Sequence, residues 1–225
     1  VNLRAGLTFS VTFLVSAVMA PIWGRMADRR GKRLMAMRAS LLISISYLLG
    51  GIVTSPEQLV LVRIFQGFAA GLWPMDLAIM TLYAPRERLG FSLGILQGTL
   101  TAGGVIGPLL GGVLAEAFGM RASFYIGGLA LFINFLAFTF IIKEPPMPED
   151  AAPLTAEEKN PWHLWHIPIL RTMMIVSTLA QMVTFVLMPV LTTYIRYLAG
   201  DLENIVLIAG IVFSLGGIAG AMAAP

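Results

Sequence analysis

The residues of this chain that could take part in chemistry are a few charged side chains within long apolar segments. Asp76 is the only carboxylate inside such a segment, and Arg63 lies thirteen residues before it. A carboxylate in apolar surroundings can bind and release a proton, as a proton carrier must. If Asp76 instead lies near the end of its segment, its carboxylate is simply hydrated. The sequence leaves open whether Asp76 is a proton carrier or a hydrated surface carboxylate. Thirteen helical residues span about 20 Å, so the two side chains are not a direct pair.

The sequence contains few residues that could form a catalytic or metal-binding site. The chain has no cysteine, which excludes a disulfide scaffold, a cysteine nucleophile and a thiolate metal site. His163 and His166 have the spacing of two metal ligands, but no third ligand lies near them in the sequence. No nucleophile is paired with a base. We therefore expect no enzyme, no cofactor and no metal site.

The composition indicates that lipid surrounds most of the chain. Apolar residues make up 57% and charged residues 12%, against about 25% charged in soluble domains. The alternation of a membrane barrel is absent, which predicts an all-α integral membrane protein. The net charge of +3 is too small and too dispersed to indicate binding to nucleic acid.

Seven membrane spans are predicted from the distribution of charges. A helix needs about 20 apolar residues to cross the hydrocarbon layer. Six segments without charges have about this length: Ala5–Gly24, Ala39–Pro56, Leu89–Ala115, Ala122–Ile142, Thr172–Ile195 and Asn204–Pro225. A seventh, Gln58–Ala84, reads as a span that Arg63 and Asp76 interrupt.

The basic residues predict the orientation of these spans. Of the 15 Lys and Arg residues, 11 lie in connections on one side, including the segment Gly24–Arg38, and 3 lie on the other. Because short cytoplasmic loops are rich in Lys and Arg, the basic side should be cytoplasmic, in the cell's inner (plasma) membrane. The acidic, proline-rich residues 143–167 would form a cytoplasmic linker between residues 1–142 and residues 168–225.

An internal repeat suggests two related halves. Ala5–Pro21 and Ala209–Pro225 match at seven of 17 positions at a constant offset of 204. Both copies run in the same direction across the membrane, which is typical of transporters with parallel halves. The repeat predicts two parallel six-helix halves that are truncated at both ends, so that the chain covers helices 2 to 8 of twelve.

The first basic connection carries a specific motif. Its residues Gly24, Asp28, Arg29, Gly31, Lys32 and Arg33 match the pattern G-x-x-x-D-R-x-G-R-R/K, with Lys in place of one Arg. This resembles the signature of the major facilitator superfamily, which lies between helices 2 and 3. We expect Gly24 to allow close packing, Asp28 to cap a helix start and Gly31 to permit a tight turn. The alternative is a loop that only fixes topology.

Two further motifs extend the resemblance. Arg63, Gln66 and Gly67 are similar to the R-x-x-Q-G pattern of proton-coupled efflux members, although Arg63 could instead snorkel to the membrane surface. The predicted span Leu89–Ala115, called here the fifth span because the chain is expected to begin with helix 2, resembles the antiporter motif of the superfamily. The motif residues are Gly103, Gly107, Pro108, Gly111 and Gly112. Pro108 should kink this helix, and its glycines should admit a close neighbour. Gly216, Gly217 and Gly220 give the last span a matching bare face.

The resemblance to the twelve-helix drug:proton antiporters of this superfamily implies a function. Small lipophilic or cationic compounds would leave as protons enter, by alternating access, and the loop around Asp28 would latch the halves on the cytoplasmic side. Arg63, Gln66, Gly67 and Asp76 would serve proton coupling, in a monomer whose partners are a small-molecule substrate, protons and the lipid bilayer. The candidate substrate-cavity residues are Gln97, Thr101, Gln181, Met182, Phe185 and Met188, although Met and Phe at this spacing are also typical of ordinary packing.

Three other interpretations remain open at this point. The chain could transport one metabolite such as a sugar, although the fifth-span motif argues against an importer. It could be a seven-helix receptor, which would show no internal repeat. It could also be a gene remnant without function.

Overall fold

The computed structural model describes residues 2–144, 167–199, 210–211 and 214–215. For residues 2–5, 7, 9, 184–189, 191–193 and 195–199 the description covers the backbone alone. Several predictions concern residues outside it: the central part of the linker with His163 and His166, the side chains of Phe185 and Met188, the glycines at 216, 217 and 220, and most of the second repeat.

The described residues form helices joined by short connections, and they contain no β-strand. The helices are α1 (Asn2–Arg30), α2 (Lys32–Ile52), α3 (Pro56–Ala69), α4 (Leu72–Tyr83), α5 (Leu89–Phe118), α6 (Met120–Phe140) and α7 (Pro168–Ala199). A short 3-10 helix, Arg86–Arg88, precedes α5, and residues 210–211 and 214–215 are also helical.

Four of the described helices are long and apolar enough to cross a membrane. These segments are Ser10–Arg30, Lys32–Ile52, Arg86–Phe118 and Met120–Phe140, and α7 begins with a shorter apolar part, Pro168–Val183. Most of their large apolar side chains lie on the outside of the protein, as expected of helices that face lipid. The prediction of an all-α integral membrane fold is therefore confirmed.

The first basic connection is much shorter than the sequence predicts. The charge-free windows placed it at Gly24–Arg38, but α1 continues to Arg30 and α2 begins at Lys32, so that Gly31 alone separates the helices. A charge ends an apolar window without ending a helix, and basic residues in the last turn of α1 interact favourably with its dipole. Gly31 has a φ of 99°, which glycine adopts without strain, and it makes the tight turn expected of it.

The span predicted at Gln58–Ala84, called here the fourth span because the chain is expected to begin with helix 2, consists of two helices rather than one. Arg63 and Asp76, the charges within this span, both lie inside helices, Arg63 in α3 and Asp76 in α4. The helices meet at Ala70 and Gly71, called here the fourth-span break, where Gly71 has a φ of 121°. The two helices together cover nearly the extent of the predicted span, and the break between them was not predicted.

Helix packing brings the polar residues of the spans into defined positions. The most extensive pairs are α2 with α6 and α1 with α3. Between α2 and α6, Ser44 Oγ donates to the carbonyl oxygen of Gly128 at 2.7 Å, and Asn134 Nδ2 donates to Ser40 Oγ at 3.3 Å. These contacts satisfy polar groups that lie between helices, as a membrane interior requires.

The chain divides into two compact units. One comprises Val1–Pro146 together with Glu203–Pro225, and it contains α1 to α6. The other, Met147–Leu202, contains α7. The predicted domain boundaries at residues 142 and 167 stay predictions.

Candidate functional site

Arg63 and Gln66 form a polar pair on one face of α3. They lie three residues apart, about one helical turn, and Arg63 Nη1 donates to Gln66 Oε1 at 2.7 Å. Both side chains line a cavity of about 290 Å³. Its other lining residues are Thr12, Phe13, Ser16, Ile43 and Ala70. This volume is close to the lower end of the range of small-molecule pockets, about 300 Å³.

The same pair also lines a second, smaller cavity. It has a volume of about 40 Å³ and is bordered by Ser46, Tyr47, Leu59, Val62 and Phe124. A polar cavity needs about 10–15 Å³ to hold a water molecule, so this one has room for water. Arg63 can therefore contact water on one side and the larger cavity on the other.

Among the described residues, Arg63 is the only charged one that lines either cavity. In the part of the chain that the structure describes, the only ion pair joins Lys32 and Asp28, so no described carboxylate neutralises Arg63. Its guanidinium instead donates to the neutral amide of Gln66. The larger cavity thus combines apolar walls with one positive charge.

Gly67 sets the distance between α1 and α3 beside this pair. A Cβ added to Gly67 would lie 2.5 Å from the carbonyl oxygen of Thr12 and 2.9 Å from Cβ of Val15. Only glycine lets the two helices approach so closely. This contact brings the α1 residues Thr12 and Ser16 to the cavity, and neither of them was predicted to lie there.

Asp76 lies apart from the polar pair. It is half-buried on α4, and it lines neither cavity. Among the described residues it takes part in no ion pair. The structure therefore does not bring Asp76 together with Arg63, in agreement with the helical distance estimated from the sequence.

The Asp28 carboxylate does not cap a helix start, contrary to expectation. Asp28 lies in the last turn of α1, and its Oδ1 is 3.0 Å from Lys32 Nζ, across the turn at Gly31. The Asp28 side chain is 73% exposed. Such an exposed pair contributes little to stability, so Asp28 is available for contacts with other parts of the protein.

Two other residues, Arg33 and Glu144, cap the neighbouring helix ends. Arg33 Nε donates to the carbonyl oxygen of Phe138 at 2.9 Å, and its Nη2 donates to that of Thr139 at 2.6 Å, at the end of α6. Glu144 Oε1 accepts from the backbone N–H of Lys32 at 2.7 Å and of Arg33 at 3.4 Å, at the start of α2. The two antiparallel helices therefore cap each other reciprocally.

Glu144 was not predicted as a capping residue, because it lies in the segment that was assigned to the linker. A signal was present, however. Helix α2 begins with two basic residues, has no acidic residue in its first turn and follows a glycine that cannot cap it through a side chain. Such a helix start requires an acceptor from elsewhere in the chain.

Arg38 is the second residue that the sequence analysis missed. It was counted as a loop charge, but it lies in the second turn of α2. Its guanidinium carbon is 3.6 Å from the centre of the Trp23 ring, a cation–π contact. Its Nη2 donates to the carbonyl oxygens of Ala70 at 3.0 Å and of Ala69 at 3.4 Å.

The fifth-span motif forms one uninterrupted helix, because α5 continues through Pro108. Gly112 is buried, whereas a Cβ added to Gly103, Gly107 or Gly111 would meet no described atom within 4 Å. The same is true of Gly24 in the first motif. Within the described residues, these glycines therefore do not make the close contacts expected of them.

A close contact on α5 is made by a glycine of the last span instead. A Cβ added to Gly210 would lie 2.5 Å from the carbonyl oxygen of Pro108. Ser214, one turn further, donates from Oγ to the carbonyl oxygen of Val105. The last span therefore packs on the fifth-span motif, as expected, but through residues that were not singled out.

Gln97 and Thr101 lie on α5 and are not among the lining residues of the two cavities described above. Thr101 Oγ1 donates to the carbonyl oxygen of Gln97 on the same helix at 3.0 Å, and neither residue lines a cavity. Gln181 and Met182 are exposed on α7, which belongs to the other unit. The assignment of Gln97 and Thr101 to a substrate cavity therefore stays a prediction.

These features define a multi-pass helical membrane protein with an open cavity beside a polar pair. The profile of the Major Facilitator Superfamily matches residues 2–225. The chain therefore belongs to the major facilitator superfamily, a family of transporters, and the resemblance found in the motifs is confirmed. Membership also supports the prediction that the chain is not an enzyme, and the interpretation as a seven-helix receptor does not hold.

The chain is similar to multidrug resistance proteins named MdtG from several bacteria. It is 36% identical over 224 residues to the protein from Dickeya zeae, and it covers 55% of that relative. The proteins from Klebsiella pneumoniae and Salmonella typhimurium are each 35% identical over 224 residues, with 54% and 55% of their lengths covered. Each match includes the whole of this chain, which thus spans about half the length of these relatives.

Proposed function

We propose that the full-length protein is a secondary active exporter of small lipophilic compounds, which leave the cell in exchange for protons. The observation that carries this proposal is the Arg63–Gln66 pair, which lies at the wall of the larger, open cavity. The pair belongs to the motif that resembles proton-coupled efflux members. The relatives named multidrug resistance proteins support export of more than one compound.

The cavity favours a substrate with a large apolar part. Phe13, Ile43 and Ala70 supply its apolar wall, and Thr12, Ser16 and Gln66 supply hydrogen-bonding groups. Apolar walls with few polar groups discriminate weakly between lipophilic compounds, which is the property a broad exporter needs. Lipophilic cations are included in the proposal. Their attraction would require a carboxylate from the rest of the protein, since Arg63 repels them.

We propose that proton coupling involves Arg63, Gln66 and Asp76. Arg63 has water-sized space on one side and the substrate cavity on the other, so its hydration can change when the cavity is filled. Asp76 is a half-buried carboxylate that no described cation neutralises, as a residue that alternates between its charged and neutral forms requires.

We further propose that transport follows alternating access in a monomer located in the inner membrane. The basic connections and the linker would face the cytoplasm, where the exposed Asp28 can latch onto the second half. The contact of Gly210 and Ser214 with α5 supports movement of the halves about this helix, since close backbone packing with few side chains permits sliding.

The test is efflux of a lipophilic cationic dye by the full-length protein in an efflux-deficient bacterial strain. We expect cells with the protein to accumulate less dye, and a protonophore to abolish the difference. Arg63→Leu should remove export, whereas Gly98→Ala, on a helix surface with no described neighbour within 4 Å, should retain it. Unchanged accumulation across cationic, neutral and anionic compounds would refute the proposal. Transport of one compound without competition by unrelated ones would favour a metabolite transporter instead.

A further inference from the structure

Arg38 carries a positive charge inside a membrane-spanning helix and has no carboxylate partner among the described residues. A charged side chain at membrane depth is expensive unless the protein supplies partners, so it indicates a functional role. The partners of Arg38 are the ring of Trp23 and the backbone carbonyls of Ala69 and Ala70. All of these groups lie at the fourth-span break.

The break leaves carbonyl oxygens without helical donors. In a continuous helix the carbonyl of Ala70 would accept from the N–H of residue 74, but residue 74 is proline and has no N–H. The positive φ of Gly71 turns the chain at the same point. Because of Pro74, the carbonyl of Ala70 has no backbone N–H donor at the helical position. Arg38 Nη2 donates to it instead, at 3.0 Å.

Arg38 and Trp23 together hold three consecutive carbonyls at the end of α3. Trp23 Nε1 donates to the carbonyl oxygen of Phe68 at 2.9 Å, and Arg38 donates to those of Ala69 and Ala70. The Trp23 ring also packs edge-on against Phe68, with the ring centres 5.1 Å apart. Since the C-terminal end of a helix bears a partial negative charge, the guanidinium is an electrostatic match for it.

We propose that Arg38 is a positioning residue for transport, whose guanidinium acts as a built-in cation at the fourth-span break. By holding the end of α3, it keeps Ala70 and Gln66 at the wall of the larger cavity. This inference rests on the proposed function, because it assigns Arg38 a part in placing the cavity residues.

The first experiment is chemical rescue in proteoliposomes that contain the full-length protein. Arg38→Ala removes a charged hydrogen-bond donor and should lower the transport rate about tenfold or more. Millimolar methylguanidinium should restore a part of the rate, whereas methylammonium, which lacks the planar donor, should not. Arg38→Lys should stay impaired for the same reason. Arg25→Ala removes an exposed charge on α1 and serves as the control, with an unchanged rate and no response to methylguanidinium.

The second experiment tests the link to Pro74 and does not depend on rescue. Pro74→Ala restores an N–H that can bond to the carbonyl of Ala70. The loss caused by Arg38→Ala should therefore be several-fold smaller in the Pro74→Ala background, in transport and in the thermal unfolding temperature. Full transport by Arg38→Ala, or the same loss in both backgrounds, would overturn the proposal. If the unaltered protein transports nothing, the proposed function fails, while unfolding still reports whether Arg38 and Pro74 are coupled.

Discussion

The carboxylate of Glu144 lies where a side chain at position 31 would project. A Cβ added to Gly31 would be 2.7 Å from Glu144 Oε1 and 2.8 Å from its carboxyl carbon. Gly31 is therefore required for two reasons, its positive φ and the space that Glu144 fills. The turn between α1 and α2 and the chain that follows α6 consequently form one connected structure. The nearby Tyr83 strengthens this connection, since its hydroxyl donates to the carbonyl oxygen of Lys143 at 2.8 Å.

Substitution of Glu144 should destabilise the start of α2. Within the described part of the chain, Glu144 is the side-chain acceptor at this helix start, and its loss in Glu144→Ala lowers the free energy of unfolding by about 1 kcal/mol. Glu144→Gln keeps an acceptor oxygen but loses the charge, so a smaller loss is expected. The unfolding temperatures of both Glu144 variants are measured in detergent. Glu87→Gln, at an exposed site, is the control. Equal unfolding temperatures for all three variants would contradict the capping role.

Substitution of Arg33 by lysine should loosen the end of α6. Lysine keeps the charge, but it cannot donate from two positions to the carbonyls of Phe138 and Thr139. We expect a loss of about 1–3 kcal/mol in the free energy of unfolding. The comparison is Arg30→Lys, an exposed position in the last turn of α1. The prediction is wrong if both substitutions have the same small effect.

A methyl group at Gly67 should separate α1 from α3. Gly67→Ala places a Cβ against the carbonyl oxygen of Thr12, and overpacking of this kind costs about 1–3 kcal/mol. Transport should fall as well, because the wall of the cavity moves. The matched control is Gly98→Ala, where no described atom lies within 4 Å and alanine favours the helix by up to about 1 kcal/mol. A stabilising effect at both positions would show that the helices are not in contact at Gly67.

A larger side chain at Gly210 should disturb the contact between the last span and α5. Gly210→Val brings side-chain atoms against the carbonyl oxygen of Pro108, so the two helices must move apart. We expect the transport rate to fall while the amount of protein in the membrane is maintained. Ile211→Val, at the adjacent exposed position, should leave the rate unchanged. Equal rates for both variants would mean that the close approach at Pro108 has no role in transport.

The long helices were predictable because their signal is local. Absence of charge over about 20 residues identified α5 and α6 almost to their ends. The exact ends of α1 and α2 were not predictable in this way, since Arg29 and Lys32 are compatible with a helix terminus as well as with a loop. The motif pattern identified Arg63 and Gln66, whose contact lies within one turn of a helix.

The residues that the sequence did not reveal act through contacts between helices. Thr12 joins the cavity only because Gly67 lets α1 approach α3. From the sequence alone, Arg38 looks like one more charge of a basic loop. Its role depends on Trp23 and the carbonyls of α3, which only the structure places beside it. Pro74 was a local signal for the fourth-span break, because it removes a helical donor, but its effect on Ala70 became clear only with the partner in place.

The divided fourth span has a consequence for the assembly of the protein in the membrane. The 14 residues of α3 extend over about 21 Å and the 12 residues of α4 over about 18 Å, so neither piece alone crosses a hydrocarbon layer of about 30 Å. The carbonyls at their junction are satisfied by Trp23 and Arg38, which precede them in the chain. Trp23 and Arg38 are therefore synthesised before the junction. Helices α1 and α2 can already be in the bilayer, with both donors present, when the divided span inserts.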